Sequence, residues 1–123
     1  MFELTIKDVV YQFHFGMGFM REINKKIGTP VDGLPDVKRN IGLQYYVACL
    51  LEGDVEALVE ILDIANKGQD LRVTRARLDS FIEECDDIDK VCEDVLDFLK
   101  NANATKKVVQ NLMTAIEAEK AKM

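Results

Sequence analysis

A single histidine limits the catalytic chemistry open to this 123-residue chain. A Ser-His-Asp or Cys-His arrangement would have to use His14. His14 falls at the end of an alternating segment, and no sequence signature marks a nucleophile for it. We therefore predict an exposed strand histidine, no catalytic residue and no enzyme activity. Acids that are distant in the sequence could still converge in the fold, so a small carboxylate enzyme stays open as an alternative.

The cysteines and the acidic residues do not follow a metal-binding pattern. Cys49, Cys85 and Cys92 lack CxxC spacing, and a structural zinc site needs about four ligands of cysteine or histidine type. The acidic run from Glu83 to Asp89 lacks the glycine and the spacing of a calcium loop. We predict no metal and no cofactor. Helix capping explains the acidic run, and a surface that meets a basic partner is the alternative.

Composition and charge exclude several classes of partner. Apolar residues make up 48% and charged residues 31%, which is typical of one globular domain, and the net charge is −6. This charge repels phosphate groups, so we expect binding neither to nucleic acid nor to membranes. The longest apolar run, Tyr45 to Leu51, is too short to span a membrane. Free cysteines and the absence of a signal-peptide pattern predict a cytoplasmic protein.

Residues 1–15 show the alternation of a β-hairpin. Phe2, Leu4 and Ile6 share one side of a first strand, and aromatic and β-branched residues alternate again after a polar break at Lys7-Asp8. Lys-Asp is not a preferred pair for a type I′ turn, so the turn type stays open. Gly16-Met17-Gly18 lacks the rest of a phosphate-binding motif and predicts a strand-to-helix turn.

Everything after Gly16 has the pattern of helices. A first helix is predicted from about Met17 to Lys26, followed by a loop over Gly28 to Pro35. Asp36 is the predicted N-cap of a second helix, whose inward side is Val37, Ile41, Gln44, Ala48 and Leu51. Asp54, Thr74 and Asp86 or Asp87 are the predicted N-caps of later helices. The predicted fold is a single α+β domain over 1–123, predominantly helical: a hairpin at about 1–15, five or six short helices over about 16–118 and a frayed tail at about 119–123.

Two helices carry more apolar residues than one buried stripe needs. The run from Tyr45 to Leu51 is apolar on all sides, so either this helix is central or one side meets a partner. The last helix has an apolar side that is similarly wide. We therefore predict homo-oligomerisation and partner binding through a set of apolar side chains on these two helices: Tyr46, Leu50, Val109, Leu112 and Met113.

Four stretches of the sequence resemble tail assembly chaperones from long-tailed phages and prophages of Gram-positive bacteria. These stretches are Phe2–Asn24, Asp36–Tyr45, Gly53–Glu60 and Asp97–Lys107. The resemblance implies a protein that binds the helical tape measure protein in the host cytoplasm and is absent from the mature virion. Such chaperones keep the tape measure protein soluble until the tail tube polymerises. In many relatives a ribosomal frameshift adds a domain that recruits the tail tube protein.

A second class of function fits the same sequence features. A small acidic structural virion protein, or a regulatory module that binds proteins without catalysis, would also expose apolar helix surface. The two classes differ in one observable property, since only a structural protein stays in purified particles.

Overall fold

The computed structural model describes residues 1–122, and the side chain of Pro35 lies outside the description. An antiparallel hairpin, β1 (Phe2–Ile6) and β2 (Val9–Phe13), is followed by α1 (Met17–Lys25). A second hairpin follows, and then five more helices. The predicted α+β, predominantly helical class with an N-terminal hairpin is confirmed. The remaining elements are β3 (Gly28–Val31), β4 (Leu34–Asn40), α2 (Gly42–Leu51), α3 (Val55–Asn66), α4 (Arg75–Glu84), α5 (Ile88–Asn101) and α6 (Lys106–Ala121).

The first hairpin closes through a tight turn. Ile6 pairs with Val9, and the two residues between them, Lys7 and Asp8, have φ angles of 51° and 67°. Positive φ at both central residues is typical of a type I′ turn, whose twist matches that of the strands. The turn therefore forms without the glycine or asparagine that would have marked it in the sequence. One side of the hairpin is buried, through Phe2, Ile6, Tyr11 and Phe13.

The hairpin is attached to the end of α3 by hydrogen bonds. The backbone N–H of His14 donates to the carbonyl oxygen of Ala65 at 2.8 Å. The side chain of the fully buried Asn66 donates to the carbonyl oxygen of Gln12 at 2.9 Å. The last carbonyl groups of a helix have no partner within the helix, and here the end of β2 satisfies one of them. This attachment fixes the position of the residues just after β2.

The prediction of a loop from Gly28 to Pro35 is wrong, because residues 28–40 form the second hairpin. Its strands are antiparallel, with an irregularity after Pro30, and Val31 pairs with Leu34 across a turn of Asp32 and Gly33. Gly33 has a φ of 77°, which glycine adopts without strain. An Asp-Gly pair between apolar residues is a strong hairpin signal, so the sequence did contain the information.

The start of the second helix was also predicted wrongly. Asp36 lies in β4, and α2 begins only at Gly42. The N-terminus of α2 is capped from outside the helix, because the Oδ1 atom of Asn24 accepts a hydrogen bond from the N–H of Leu43 at 2.9 Å. The predicted inward stripe is wrong as well, since the buried side chains of α2 are Leu43, Val47 and Leu50.

The other predicted helix starts are confirmed. Side chains of Asp54, Thr74 and Asp87 accept hydrogen bonds from backbone N–H groups in the first turns of α3, α4 and α5. Helix α6 continues to Ala121, beyond the predicted start of the frayed tail at about residue 119. Residues 117–122 are all exposed, and Met123 lies outside the described residues.

Helix α3 lies at the centre of the molecule. It contacts α1, α2, α4 and β2, and its residues Leu58, Ile61 and Leu62 are fully buried. Helix α6 closes the core from another side by packing on α2 and α5. Thr105, which is buried, ties the ends of α5 and α6 together by donating to the carbonyl oxygen of Leu99 at 2.6 Å. The residues before α1 and at the end of α5 are positioned by these contacts.

Candidate protein-binding surfaces

The structure brings together the two helices that carry the predicted partner-binding residues. Helices α2 and α6 pack against each other. Leu50 and Val109, however, are buried, with 3% and 0% exposure. Buried side chains cannot contact a partner in this conformation, so these two are core residues. Tyr46, Leu112 and Met113 are half-buried at the edge of the core and form what we call the α2–α6 surface.

A second apolar surface lies where the first hairpin, α1 and α5 meet. This aromatic groove has a volume of about 500 Å³ and is lined mainly by Phe2, Phe13, Phe15, Met17, Phe98 and Ala102, with Met1 and His14 at its border. Three of its large apolar side chains are exposed: Met1 by 63%, Met17 by 47% and Phe98 by 41%. Large side chains that are this exposed and this close together are typical of a binding surface.

Aromatic contacts give the groove its shape. The rings of Phe2 and Phe98 meet edge to face, with centroids 4.9 Å apart. Phe15 and Phe19 make a similar contact at 5.1 Å. Such pairs stabilise by about 0.5–1.5 kcal/mol beyond the burial of their area, so the floor of the groove is held in place. The methionines at its border have flexible side chains, which adapt to different partners.

The sequence contained one signal for this groove. Phe98 lies outside the apolar stripe of α5, which includes the buried residues Val95 and Leu99. An aromatic residue off the buried stripe of a helix has to find another neighbour or stay exposed. Its neighbour Phe2 is 96 positions earlier, so only the fold shows that the two meet. Asp97 and Asn101 border a shallow apolar extension of the groove past Phe98.

Two tyrosines and several charged residues line a separate cavity of about 420 Å³ beside α2. Tyr45 and Tyr46 are in edge-to-face contact at 5.2 Å, and a hydrogen bond with Cys49 raises the pKa of Tyr45. Burial tends to raise the pKa of Glu60, but a hydrogen bond from Arg75 at 2.6 Å and the ammonium group of Lys26 at 3.3 Å hold that pKa below its ordinary value. Because Glu60 is ionised and paired, it supports the packing of α3 and is unsuited to proton transfer.

The Cys92 thiol and the possible metal ligands of residues 1–122 were the remaining groups that could do chemistry. Burial raises the pKa of Cys92, which disfavours the reactive thiolate form. Within residues 1–122, no three His, Cys, Asp or Glu side chains are grouped to hold a metal ion. In the same part of the chain, no helix has both the length and the apolar character needed to cross a membrane.

Comparison with known proteins identifies the family. The family model described as phage tail assembly chaperone protein matches residues 3–113, which is nearly the whole chain. No curated protein and no solved structure matched the chain. The match includes both hairpins apart from Phe2, all of α1 to α5, and the residues of the aromatic groove other than Met1 and Phe2. The resemblance seen in the sequence is thus confirmed, and the chain belongs to the phage tail assembly chaperone family.

Proposed function

We propose that this chain binds the tape measure protein in the host cytoplasm and keeps it soluble until the tail tube polymerises around it. Membership of the tail assembly chaperone family supports this role. The observation that carries the proposal is the aromatic groove, with Met1, Met17 and Phe98 exposed beside each other. The proposed occupant is an apolar face of a tape measure helix, which would otherwise be exposed to water.

The physical properties of the groove suit such a client. A helix binds a groove through apolar side chains spaced three or four residues apart, and the groove supplies aromatic and methionine side chains as their partners. Burying one leucine-sized side chain contributes about 1.5–3 kcal/mol, and a micromolar complex needs about 8 kcal/mol after the costs of association. Association itself costs at least about 4 kcal/mol, so roughly four to eight such anchors are needed across the whole contact. A chaperone that must later release its client needs no greater affinity.

The α2–α6 surface remains a second proposed contact. Tyr46, Leu112 and Met113 are only half-buried, so they can still take part in binding, whereas Leu50 and Val109 support them from the core. Recruitment of the tail tube protein, through a domain added by frameshifting, is a further proposal that comes from the family resemblance.

We expect charge in the aromatic groove to abolish client protection. In cells that co-express the tape measure protein, Phe98→Asp and Met17→Asp should each lower the soluble fraction of that protein to the level seen without the chaperone. Met17 begins α1, where a carboxylate favours the helix dipole, so this variant should fold normally. For purified complexes, we expect the Kd to rise by about tenfold or more, since one anchor contributes at least about 1.4 kcal/mol.

A matched control and a salt series complete this experiment. Leu71→Asp changes a side chain that is 53% exposed and lies outside both surfaces, so it should protect the client as the wild type does. Apolar binding should survive about 0.5 M salt, whereas binding through the acidic run Glu83 to Asp89 should be lost as screening shortens to a few Å. Full protection by both groove variants would rule out the groove as the client site, and Tyr46→Asp would then test the α2–α6 surface.

We also expect the protein to be absent from purified phage particles. A chaperone leaves when the tube subunits replace it, whereas a structural virion protein stays in stoichiometric amount. Quantitative mass spectrometry of particles purified by density gradient measures this directly, with the tape measure protein as the internal standard. Several copies per particle would favour the structural alternative over the chaperone.

A further inference from the structure

The cavity beside α2 combines aromatic faces with acidic side chains. This tyrosine cavity, of about 420 Å³, lies between α2, the start of α3 and the residues that follow α1. Tyr45, which is 46% exposed, and Tyr46, which also belongs to the α2–α6 surface, form one wall. The cavity shares no residue with the aromatic groove, so binding here does not depend on client binding in the groove. Its other lining residues are Lys26, Ile27, Cys49, Asp54, Glu56, Ala57 and Glu60.

The turn between α2 and α3 places a carboxylate beside the tyrosine rings. Gly53 has a φ of 89°, a left-handed conformation that commonly ends a helix. The N–H of Asp54 then donates to the carbonyl oxygen of Cys49 at 3.0 Å, one helical turn after Tyr45. One oxygen of the Asp54 side chain accepts from the N–H of Glu56 at 3.0 Å, which holds this carboxylate at the border of the cavity. The hydrogen bond with Cys49 raises the pKa of Tyr45, and the nearby charge of Asp54 acts in the same direction.

The acidic side chains of the tyrosine cavity exceed the basic ones. Among its described lining residues, Lys26 is the one base, and its ammonium group pairs with the Oε2 atom of Glu60 at 3.3 Å. This oxygen is buried and accepts no hydrogen bond within residues 1–122. In the same part of the chain, no basic side chain lies within 4.0 Å of the carboxylates of Asp54 and Glu56. The cavity therefore favours a cation that brings several N–H donors.

We propose that the tyrosine cavity binds an arginine side chain of a partner protein, with the guanidinium group against the ring of Tyr45 and beside the carboxylates of Asp54 and Glu56. A guanidinium group is planar, so it stacks on an aromatic ring and donates to carboxylates at the same time. The ammonium group of lysine is a compact, strongly hydrated charge and fits this arrangement less well. Within residues 1–122, the carboxylates are not grouped as the ligands of a metal ion, which favours an organic cation.

A neighbouring cavity favours a polypeptide as the source of the arginine. This cavity, of about 250 Å³, lies between α3 and α4 and shares Glu56 with the tyrosine cavity. It combines the apolar side chains of Val55 and Ile82 with the carboxylates of Asp79 and Glu83, which have no ion-pair partner within residues 1–122. A basic amphipathic helix with its arginine in the tyrosine cavity would bury apolar side chains here and place further bases beside these acids. A free small cation would use the tyrosine cavity alone.

Tyrosine fluorescence of the full chain measures binding to this cavity. The chain has no tryptophan, and Tyr11, the third tyrosine, is only 6% exposed. Nα-acetyl-arginine amide should change the fluorescence with a Kd of about 1–10 mM, as expected for a single side chain. Nα-acetyl-citrulline amide has nearly the same shape without the charge and should not bind. Nα-acetyl-lysine amide should bind several-fold more weakly than the arginine probe.

Neutral variants test the assigned contacts. Glu56→Gln and Asp54→Asn each remove one charge, and asparagine caps a helix as well as aspartate does. Each variant should raise the Kd of the arginine probe by about fivefold or more, because a charge-assisted hydrogen bond is lost. Tyr45→Leu should have a similar effect, measured by the chemical shift of the Glu56 amide. Glu52→Gln is the matched control, since Glu52 is exposed and does not line the cavity, and its Kd should equal that of the wild type.

A helical peptide separates a polypeptide partner from a free cation. The probe is an amphipathic peptide with one central arginine, leucines three and four residues away and flanking lysines. It should bind about tenfold or more tightly than Nα-acetyl-arginine amide, and Glu83→Gln should weaken the peptide without affecting the small probe. No binding of the arginine probe below about 50 mM, equal binding of the citrulline probe, or an unchanged Kd in Glu56→Gln would each overturn the site. Equal affinity of the peptide and the small probe would overturn the polypeptide partner.

Discussion

Replacing Gly42 with alanine is expected to destabilise the protein by roughly 3 kcal/mol or more, which is a large part of the stability of a small domain. Gly42 is the first residue of α2 and is buried against the end of α1. An added Cβ would overlap the carbonyl group of Ile23 and lie 2.9 Å from the Cα of Asn24. These are backbone atoms of a packed helix and cannot move aside alone, so α1 and α2 would have to separate.

Urea unfolding followed by circular dichroism measures this effect, and Gly18→Ala is its matched control. Gly18 lies in α1, where an added Cβ would have no neighbour within 4 Å. Alanine restricts the unfolded chain and favours helix, so we expect Gly18→Ala to stabilise by about 0.5 kcal/mol. Equal stability of the two variants would show that the close approach of α1 and α2 is absent in solution. The cap from Asn24 to Leu43 depends on the same approach and should weaken with it.

Replacing Asn66 with alanine should destabilise the protein by a similar amount, about 3 kcal/mol. The amide nitrogen of Asn66 donates to the carbonyl oxygens of Gln12 and Leu71, at 2.9 and 3.0 Å. Its amide oxygen accepts from Arg72 at 2.9 Å and from the N–H of Val73 at 2.7 Å. Each buried group left without a partner costs about 1–3 kcal/mol, and the buried N–H of Val73 contributes most.

The control for Asn66 is Asn111→Ala, at an exposed position of α6, which we expect to change stability by less than about 0.5 kcal/mol. Thermal and urea unfolding of both variants give the comparison. Hydrogen exchange adds spatial detail, since the amides of β2 and of residues 71–73 should lose protection first in Asn66→Ala. A urea midpoint like that of the wild type would mean that water replaces the lost amide without cost.

The attachment of β2 through Asn66 also bears on the proposed client site. Phe13 and Phe15 reach the aromatic groove from the end of β2, and the hydrogen bonds of Asn66 and Ala65 hold that end on α3. Loss of the hydrogen bond from Asn66 would loosen the end of β2 on α3 and change the shape of the groove, although none of the residues that line the groove is replaced. Client binding by Asn66→Ala should therefore weaken even at temperatures where the variant is folded.

Elements whose signals are local could be predicted from the sequence. Alternation of apolar residues predicted the first hairpin. The capping residues Asp54, Thr74 and Asp87 predicted where three helices begin, because a cap and its helix are neighbours in the chain. The family was also accessible, since whole stretches of sequence resemble its members. The Asp32-Gly33 turn is a local signal of the same kind, but the glycines and prolines around it are also typical of a loop, and they led to the wrong prediction.

Features that join distant residues became evident only in the folded molecule. The cap of α2 comes from Asn24 on α1, and the run from Tyr45 to Leu51 is apolar on all sides, so its periodicity could not define which face is buried. Leu50 and Val109 became core residues because α2 and α6 pack together. The aromatic groove joins Phe2 to Phe98, and no pattern within one helix or strand contains that contact. Burial depends on which surfaces meet in space, whereas periodicity and capping record only the order of residues along the chain.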